Sequence, residues 1–339
     1  MEKIKIAMIG AGTHASNELF PSLNFIEGIE RVAVCDLKEE LAKETANKYG
    51  FKKYYVDYKE MLASEDLNGV IICIHAKGHP PVIKESLKYG VDVLVEKPAA
   101  TTPEECKEIL DLSRKTGKFV MIDHQKRRAT AYLKMMEIIG KKEFGNIVMI
   151  ESKQHGYSYD TLFNCLIELQ IHNIDIMRAF GGEVKNLTAY QTKIAHNRSA
   201  ITLVMEFANG VIGTTHIGTE GNRGTYCERL EVVGSEGQGV FVENVRKVVH
   251  YKENDSYVWQ PDWMPHMRNS TLVLDGYIGN MEHFFKCIRE RIEPVPNIYD
   301  EMKALEIIFD TCRQLNIETK WNMVIEKSKF LTMKGYYNA

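Results

Sequence analysis

Short apolar runs alternate with amphipathic stretches along the first third of the chain. The runs are rich in Ile, Val and other strand-forming residues, and the stretches between them repeat apolar positions with helical spacing. Six strands are predicted, at residues 4–9, 32–35, 54–56, 70–74, 91–95 and 119–122. Because strands that alternate with helices pair in parallel, residues 1–122 are predicted to form a doubly wound parallel sheet with helices on both faces.

The pattern changes after residue 122. A long apolar helix is predicted over residues 162–180, with further helices at 132–139, 277–292 and 299–315. Several segments between them alternate apolar and polar positions, which is typical of an antiparallel sheet with one open face. The predicted strands cover residues 147–154, 187–194, 200–207, 211–217, 228–233, 240–242 and 247–251. We therefore predict an α/β chain in which residues 123–339 form a second, α+β domain with an open, mostly antiparallel sheet. The final helices are candidates to pack back on the first domain.

Composition and charge are those of an ordinary globular protein. The 339 residues are 44% hydrophobic and 26% charged, with a formal net charge of −3. Lysine and arginine are dispersed, so no nucleic-acid surface is indicated, and no apolar run is long enough to span a bilayer. The seven cysteines are scattered without a C-x-x-C pair and are interpreted as reduced thiols. Since the chain also lacks a signal peptide pattern, we expect a cytoplasmic protein whose open sheet face joins copies into a homodimer or homotetramer.

A glycine-rich turn follows the first predicted strand. Residues 10–15 read Gly-Ala-Gly-Thr-His-Ala, which is the pattern G-x-G-x-x-A. Gly10 permits a tight turn, Gly12 lets the backbone approach a pyrophosphate, and Ala15 lets the next helix pack closely on the strand. Asp36 ends the second strand, where an acid binds the adenosine ribose and repels a 2′-phosphate. The spacing therefore favours a dinucleotide site over a structural glycine turn, and NAD over NADP.

The fifth predicted strand ends in Glu96-Lys97-Pro98. Ligands of open α/β sheets bind at the carboxyl ends of the strands, so this position puts Lys97 close to a ligand. Pro98 biases Lys97 away from helical backbone angles and thereby sets the direction in which the lysine side chain leaves the strand. The alternative interpretation is a Glu–Lys pair on the protein surface.

Three ionisable residues share one face of the predicted long helix. Glu168, His172 and Asp175 stand at positions i, i+4 and i+7, and their neighbours are mainly Ile, Leu and Met. Burial of such groups without partners is costly. General base catalysis by His172 ranks first among the interpretations, and a polar stripe facing solvent ranks second. A metal site ranks last, because no further His or Cys pattern supports one.

The order of these motifs resembles the glucose–fructose oxidoreductase/inositol dehydrogenase family (Gfo/Idh/MocA) over nearly the whole chain. The resemblance implies a Rossmann domain, an open-faced second domain, and hydride transfer between a nicotinamide cofactor and a secondary alcohol or ketone of a sugar, inositol or related polyol. It implies catalytic roles for Lys97, His172 and Glu168. The cofactor-binding residues that motif and resemblance indicate are Gly10, Gly12, Thr13, His14, Ala15, Asp36, Leu37, Ile74, His75, His79, Glu96, Lys97 and Gln125. The substrate-binding residues so indicated are Lys97, Arg127, Tyr157, Glu168, His172 and Asp175.

Two departures from the family pattern bear on these expectations. The family's helix usually reads D-x-G-x-H, whereas Glu168 and Gln170 stand here in place of the acid and the glycine. The longer acid and the bulky Gln170 together are expected to narrow the floor of the pocket. Residues 74–76 read Ile-His-Ala where the family usually has Thr-Pro-Asn, so cofactor contacts there are expected to differ. Two alternatives stay open: glycoside hydrolysis with a retained NAD, and a non-catalytic regulator that binds dinucleotide or sugar.

Overall fold

A six-stranded parallel sheet forms the first part of the chain in the computed structural model, which describes residues 3–156, 159–195, 198–219, 227–264 and 266–321. Its strands are β1 (Ile4–Ile9), β2 (Ile29–Cys35), β3 (Lys53–Tyr55), β4 (Gly69–Ile72), β5 (Asp92–Val95) and β6 (Val120–Ile122). They lie in the order β3-β2-β1-β4-β5-β6, and every pair is parallel. β4, β5 and β6 are buried throughout, as strands with both faces covered are. The predicted doubly wound sheet is confirmed.

The connections between these strands are helical. The first begins with a π turn, Ala15–Leu19, and continues as α1 (Phe20–Ser22) and a 3₁₀ turn, Leu23–Phe25. The others contain α2 (Glu39–Tyr49), α3 (Tyr58–Ser64), α4 (His79–Lys88) and α5 (Pro103–Thr116). Since all six strands run in the same direction, the loops that follow them open at one edge of the sheet.

A second sheet has eight strands in the described part of the chain. They are β7 (Ile147–His155), β8 (Val184–Ala195), β9 (Arg198–Phe207), β10 (Ile212–Gly218), β11 (Cys227–Gly234), β12 (Gly239–Glu243), β13 (Lys247–Lys252) and β14 (Asp255–Trp259). The order is β14-β13-β12-β11-β7-β10-β9-β8, and the pairs are antiparallel except for β7 with β10. The prediction of a mostly antiparallel second sheet is confirmed.

One strand of this sheet was not among the predicted strands. β14 pairs with β13 at the edge of the sheet, with Val248 opposite Trp259 and Lys252 opposite Asp255. Its side chains are exposed, apart from the half-buried Trp259. The segment therefore lacks the alternation of buried and exposed positions from which a strand is predicted.

The helices of the second part include the long helix predicted over residues 162–180, but with a π turn in its middle. α7 (Leu162–Cys165) leads into the π turn Leu166–Gln170, which leads into α8 (Ile171–Gly181). The remaining helices are α6 (Thr130–Ile139), α9 (Thr271–Leu274), α10 (Tyr277–Glu290) and α11 (Ile298–Leu315).

In the part of the chain that the structure describes, no helix combines the length and the apolar character that crossing a membrane needs.

The last two helices connect the two sheets. Phe284 and Phe285 of α10 lie in the same buried cluster as Ile6 and Met8 of β1. α11 packs against both α5 and α8. The chain passes from β6 to α6 through a 3₁₀ turn, Gln125–Arg128, just after the expected boundary at residues 122 and 123. The exact domain limits stay a prediction.

Candidate active site

The corner after β5 is held from two sides. The Lys97 ammonium donates a hydrogen bond to the Glu168 backbone carbonyl at 2.7 Å and lies 3.8 Å from the Glu168 carboxylate. Behind it, the buried His79 ring places Nδ1 2.8 Å from the Pro98 carbonyl oxygen. The strand end and the helix thus fix the direction of the lysine side chain. This contact also joins an element of the first sheet to the long helix of the second part.

The π turn explains how the helix reaches Lys97. A π turn widens the backbone by one residue and frequently occurs at functional sites. Here it carries Glu168 and Leu169 to the wall of a cavity of about 670 Å³, and His172 follows in the first turn of α8. Lys97, Glu168 and His172, the three predicted catalytic residues, therefore line one cavity.

His172 is buried in a positively charged setting. Its side chain is 9% exposed, and Nδ1 has no hydrogen-bond partner among the described residues. Burial holds the pKa of His172 well below its usual value, and the positive charges of Lys97 and Lys126 lower it further. The imidazole is therefore neutral near pH 7, and a neutral imidazole can accept a proton.

A carboxyl pair lies beside the lysine. Burial raises the pKa of Glu96, but the hydrogen bond and charge of His14, with the charge of Lys97, outweigh burial and hold that pKa low. His14 Nε2 lies 2.7 Å from Glu96 Oε1. Burial and the neighbouring Glu96 charge hold the pKa of Asp123 well above its usual range, so Asp123 keeps its proton in a hydrogen bond with Glu96. Asn280 donates to Asp123 at 2.7 Å and completes this network.

The glycine turn after β1 provides a cradle with open space. Gly10 has φ +99°, and a Cβ there would lie 2.1 Å from the Cys73 carbonyl oxygen. A Cβ at Gly12 would meet no atom within 4 Å. The helix begins directly after this turn, and the first amides of a helix have no acceptor within it. Asp36 stands at the mouth, where its carboxylate accepts hydrogen bonds of 2.9 Å from the amides of Ala11 and Lys38. These groups fit a dinucleotide with a pyrophosphate over the turn and a ribose at Asp36.

The other predicted cofactor residues differ in exposure. His14, Glu96 and Gln125 line the same cavity as the catalytic residues. The side chains of Thr13, Leu37 and His75 are exposed, Ile74 is half-buried, and Ala15 is buried beneath the helix start. His79 is 1% exposed and supports the corner through Pro98 instead of lining the cavity. The individual cofactor contacts stay predictions.

Two predicted substrate residues are not brought to the cavity wall. Arg127 and Asp175 are buried and form a bidentate pair, with Nε to Oδ2 at 2.8 Å and Nη2 to Oδ1 at 2.6 Å. Gln170 is also buried, and its amide donates to the Gln154 carbonyl at 3.4 Å, so it does not narrow the cavity floor as expected. Tyr157 lies outside the described residues. The described residues contain no group of three His, Cys, Asp or Glu side chains placed to hold a metal ion.

Several residues of the site were missed in the sequence. Lys126 pairs with Glu228, and Arg246 pairs with Asp275; these four residues also line the cavity. They come from four distant segments, and only Lys126, between Gln125 and Arg127, is next to residues that the sequence predicted for the site. Glu301 of α11 is also part of the surroundings of the site, and its sequence position did carry a signal. It occupies the apolar face of a helix, between Ile298, Leu305 and Ile308 at helical spacing.

Comparison with known proteins agrees with this geometry. Residues 4–124 match the model of the oxidoreductase family with an NAD-binding Rossmann fold, and residues 132–240 match the GFO/IDH/MocA C-terminal domain. The chain belongs to the GFO/IDH/MocA oxidoreductase family. The family resemblance and the prediction of an oxidoreductase are confirmed, and the first sheet forms an NAD-binding Rossmann fold.

Relatives of similar length cover most of the chain. The inositol 2-dehydrogenase of Salmonella typhimurium (strain LT2) is 26% identical over 325 residues, which are 91% of this chain and 93% of the relative. A dehydrogenase structure from Chromobacterium violaceum has a TM-score of 0.86 at 20% identity and covers 92% of this chain and 95% of its own. Levoglucosan dehydrogenase in complex with NADH and levoglucosan has a TM-score of 0.81 at 17% identity, covering 95% and 99%. The two structures share the fold with this chain.

The two motif glycines are expected to fail in different ways when replaced. Gly12→Ala should fold with an unchanged melting temperature but bind NAD roughly tenfold more weakly or worse, because the new methyl group occupies the space of the pyrophosphate. Gly10→Ala should lower the melting temperature, because its Cβ collides with backbone. Thermal unfolding and calorimetric NAD titration measure both effects. Wild-type NAD affinity in Gly12→Ala would contradict the proposed cradle.

Proposed function

We propose that the protein is an NAD-dependent dehydrogenase that transfers a hydride between the nicotinamide and a secondary alcohol or ketone of an uncharged sugar, inositol or related polyol. The observation that carries the proposal is the cavity in which Lys97 and His172 stand together with the cofactor-side residues His14 and Gln125. An acid–base group, a fixed cation and a dinucleotide cradle are the parts that alcohol oxidation needs.

His172 is the proposed proton acceptor. Because burial and the nearby cations keep it neutral, its imidazole can take the hydroxyl proton while the carbon-bound hydrogen leaves as hydride. The bound nicotinamide supplies the hydride acceptor in this direction and the donor in the reverse direction. A positioned acid–base of this kind typically contributes about 10²–10⁴-fold in rate.

Lys97 is proposed to stabilise the oxygen that becomes negative as the proton leaves. Its hydrogen bond to the Glu168 carbonyl fixes the ammonium without neutralising it, and the Glu168 carboxylate is farther away, at 3.8 Å. A cation held in place before the reaction needs no reorganisation when charge develops, which makes such groups effective. Glu168 is proposed to hold a neighbouring hydroxyl of the substrate.

The charges of the cavity favour an uncharged substrate. Lys126 and Arg246, two further cations of the cavity lining, are each paired with a carboxylate, Glu228 and Asp275. A carboxylate or phosphate on the substrate would have to displace one of these acids and would meet the others. A paired cation and anion instead offer a donor and an acceptor side by side, which suits neighbouring hydroxyl groups. The relatives named inositol 2-dehydrogenase support the same substrate class.

NAD is the proposed cofactor in preference to NADP. Asp36 is held at the end of β2 by two backbone amides, and its carboxylate is positioned to accept hydrogen bonds from ribose hydroxyls. A 2′-phosphate at this place would be repelled by the same charge.

A substrate panel tests the reaction directly. With NAD supplied, absorbance of NADH should rise with one group of inositols or aldoses and much less with uronic acids or sugar phosphates.

Lys97→Ala should lower kcat by about 10²-fold or more and leave NAD affinity within a few-fold of wild type. Lys43→Ala, an exposed lysine on α2, is the control. Cleavage of aryl glycosides without net NADH would instead favour the glycosidase alternative, and NAD binding without any turnover would favour the regulator.

Removal of the Asp36 charge tests the cofactor preference. In Asp36→Asn the amide oxygen still accepts from a backbone amide, but the negative charge is gone. The ratio of kcat/KM with NADP to kcat/KM with NAD is therefore expected to rise roughly tenfold or more. Glu40→Gln removes an exposed acid of the same region and should leave this ratio unchanged. An unchanged ratio in a folded Asp36→Asn would refute the assignment.

The open face of the second sheet is proposed to join subunits. Met149, Ile212, Tyr190 and Ile194 are exposed on three of its strands, with Met149 directly opposite Ile212. Sedimentation velocity is expected to find a dimer or tetramer, and Met149→Glu should shift it toward the monomer. Val148→Glu, which alters the opposite side of the same strand, is the control. A wild-type monomer would contradict this proposal.

All seven cysteines are free thiols, which supports the expected cytoplasmic location.

A further inference from the structure

A buried carboxylate from the last helix touches both halves of the candidate active site. We propose that Glu301 is a positioning residue for this reaction: one of its oxygens holds the Lys97 corner, and the other, through His124, fixes the charge beside His172. The inference rests on the proposed function. Both Glu301 and His124 are 0% exposed, and neither lines the cavity, so they act through the residues that do.

The first contact is with the corner after β5. Glu301 Oε1 accepts a hydrogen bond from the Ala99 amide at 2.9 Å. Ala99 lies two residues after Lys97 and directly after Pro98, whose carbonyl is in turn contacted by His79. The backbone on which Lys97 stands is therefore held by α11 and α4 together. A displacement of Glu301 would therefore shift the backbone position from which the Lys97 side chain extends.

The second contact is with His124, directly after β6. Glu301 Oε2 lies 2.7 Å from His124 Nε2. The His124 ring stands edge-on to the His172 ring, with centroids 5.8 Å apart and an angle of 83° between the planes. Neither ring has a partner for Nδ1 among the described residues. The two histidines are thus buried neighbours, and at this distance a charge on one strongly affects the pKa of the other.

The groups around His124 favour its charged form. Burial lowers the pKa of His124, but Asp175 and Glu301 outweigh burial and raise it. Asp175 Oδ1 lies 3.9 Å from Nε2 and is shared with Arg127. The positive charge of His124 is in turn one of the charges that lower the pKa of His172.

His124 lowers the pKa of His172 together with burial, Lys97 and Lys126. The titratable or charged groups that act on His124 are Asp175, Glu301 and Arg127, and those that act on His172 are Lys97, Lys126, His124 and His14, with Glu168 on the same cavity wall. Stability is a weak reason to bury a carboxylate and a histidine, because desolvation costs about as much as the pair gains. A role in setting the position and charge of the catalytic groups accounts for the pair.

The variant that tests the proposal is Glu301→Gln, because glutamine has nearly the same size and shape as glutamate but no charge. The amide oxygen can still accept from Ala99, while the NH₂ group faces His124 Nε2 and donates to it, so the pKa of His124 falls and its neutral form is favoured, although Asp175 remains. With less positive charge on His124, the pKa of His172 rises. Oxidation needs neutral His172, so the acid limb of the kcat profile should move to higher pH by about 1 unit. Glu306→Gln, on the same helix and paired only at the surface with Lys303, should leave the profile unchanged.

A second variant covers the case in which Glu301→Gln does not fold. His124→Asn removes the same cation and should shift the acid limb in the same direction. The double variant should shift it no further, since both changes act through one charge. A uniform fall in kcat with an unmoved acid limb in the folded variants would overturn the proposal and leave Glu301 a structural residue.

A measurement without turnover separates this inference from the proposed function. The His172 imidazole signals, assigned with His172→Asn, can be titrated by NMR in the wild type and in Glu301→Gln. A raised His172 pKa in the variant supports the inference even if no substrate is oxidised. An unchanged His172 pKa overturns it even if the dehydrogenase reaction is found.

Discussion

The hydrogen bond from the Lys97 ammonium to the Glu168 carbonyl is the contact on which the site depends. Lys97 follows β5 of the first sheet, and Glu168 belongs to the helix that covers the second sheet. The π turn carries that carbonyl to the edge of the cavity, and the cradle after β1 opens toward the same cavity through His14. This contact, together with the packing of α10 and α11, sets the distance between the first sheet and His172, the proposed proton acceptor.

Paired charges are the second feature of the site. His14 pairs with Glu96, Lys97 with Glu168, Lys126 with Glu228 and Arg246 with Asp275, and all eight residues line the cavity. Such pairs satisfy each other in the absence of substrate, so the walls keep their shape without it. His172 is the exception, because it lacks an acid at Nδ1 and is surrounded by cations. The proposed reaction assigns the proton to this histidine, for which the described residues provide no salt bridge.

Much of this arrangement follows from short stretches of sequence. Three features of the sequence predict the site: the glycine turn, the Glu96-Lys97-Pro98 corner and His172. Each combines a residue type with a position at the end of a strand or on a helix, and the fold brings these positions close together. What could not be predicted depends on contacts between distant segments. Arg127 and Asp175, expected at the substrate, satisfy each other in the interior, and only the folded chain shows this. The π turn has no sequence signature, and β14 lacks a buried face. Glu301 was detectable as an acid on an apolar helix face, but not its two partners.

The packing of α10 on β1 has a consequence for how the protein is made. The apolar face of Ile6 and Met8 is completed by Phe284 and Phe285, which follow about 280 residues later and leave the ribosome tens of seconds afterwards at about 5–20 residues per second. During that interval the nascent Rossmann sheet exposes part of its interior. The nucleotide-binding half, although first in the chain, is thus among the last to close, and it has to be protected from aggregation while the rest of the polypeptide is synthesised.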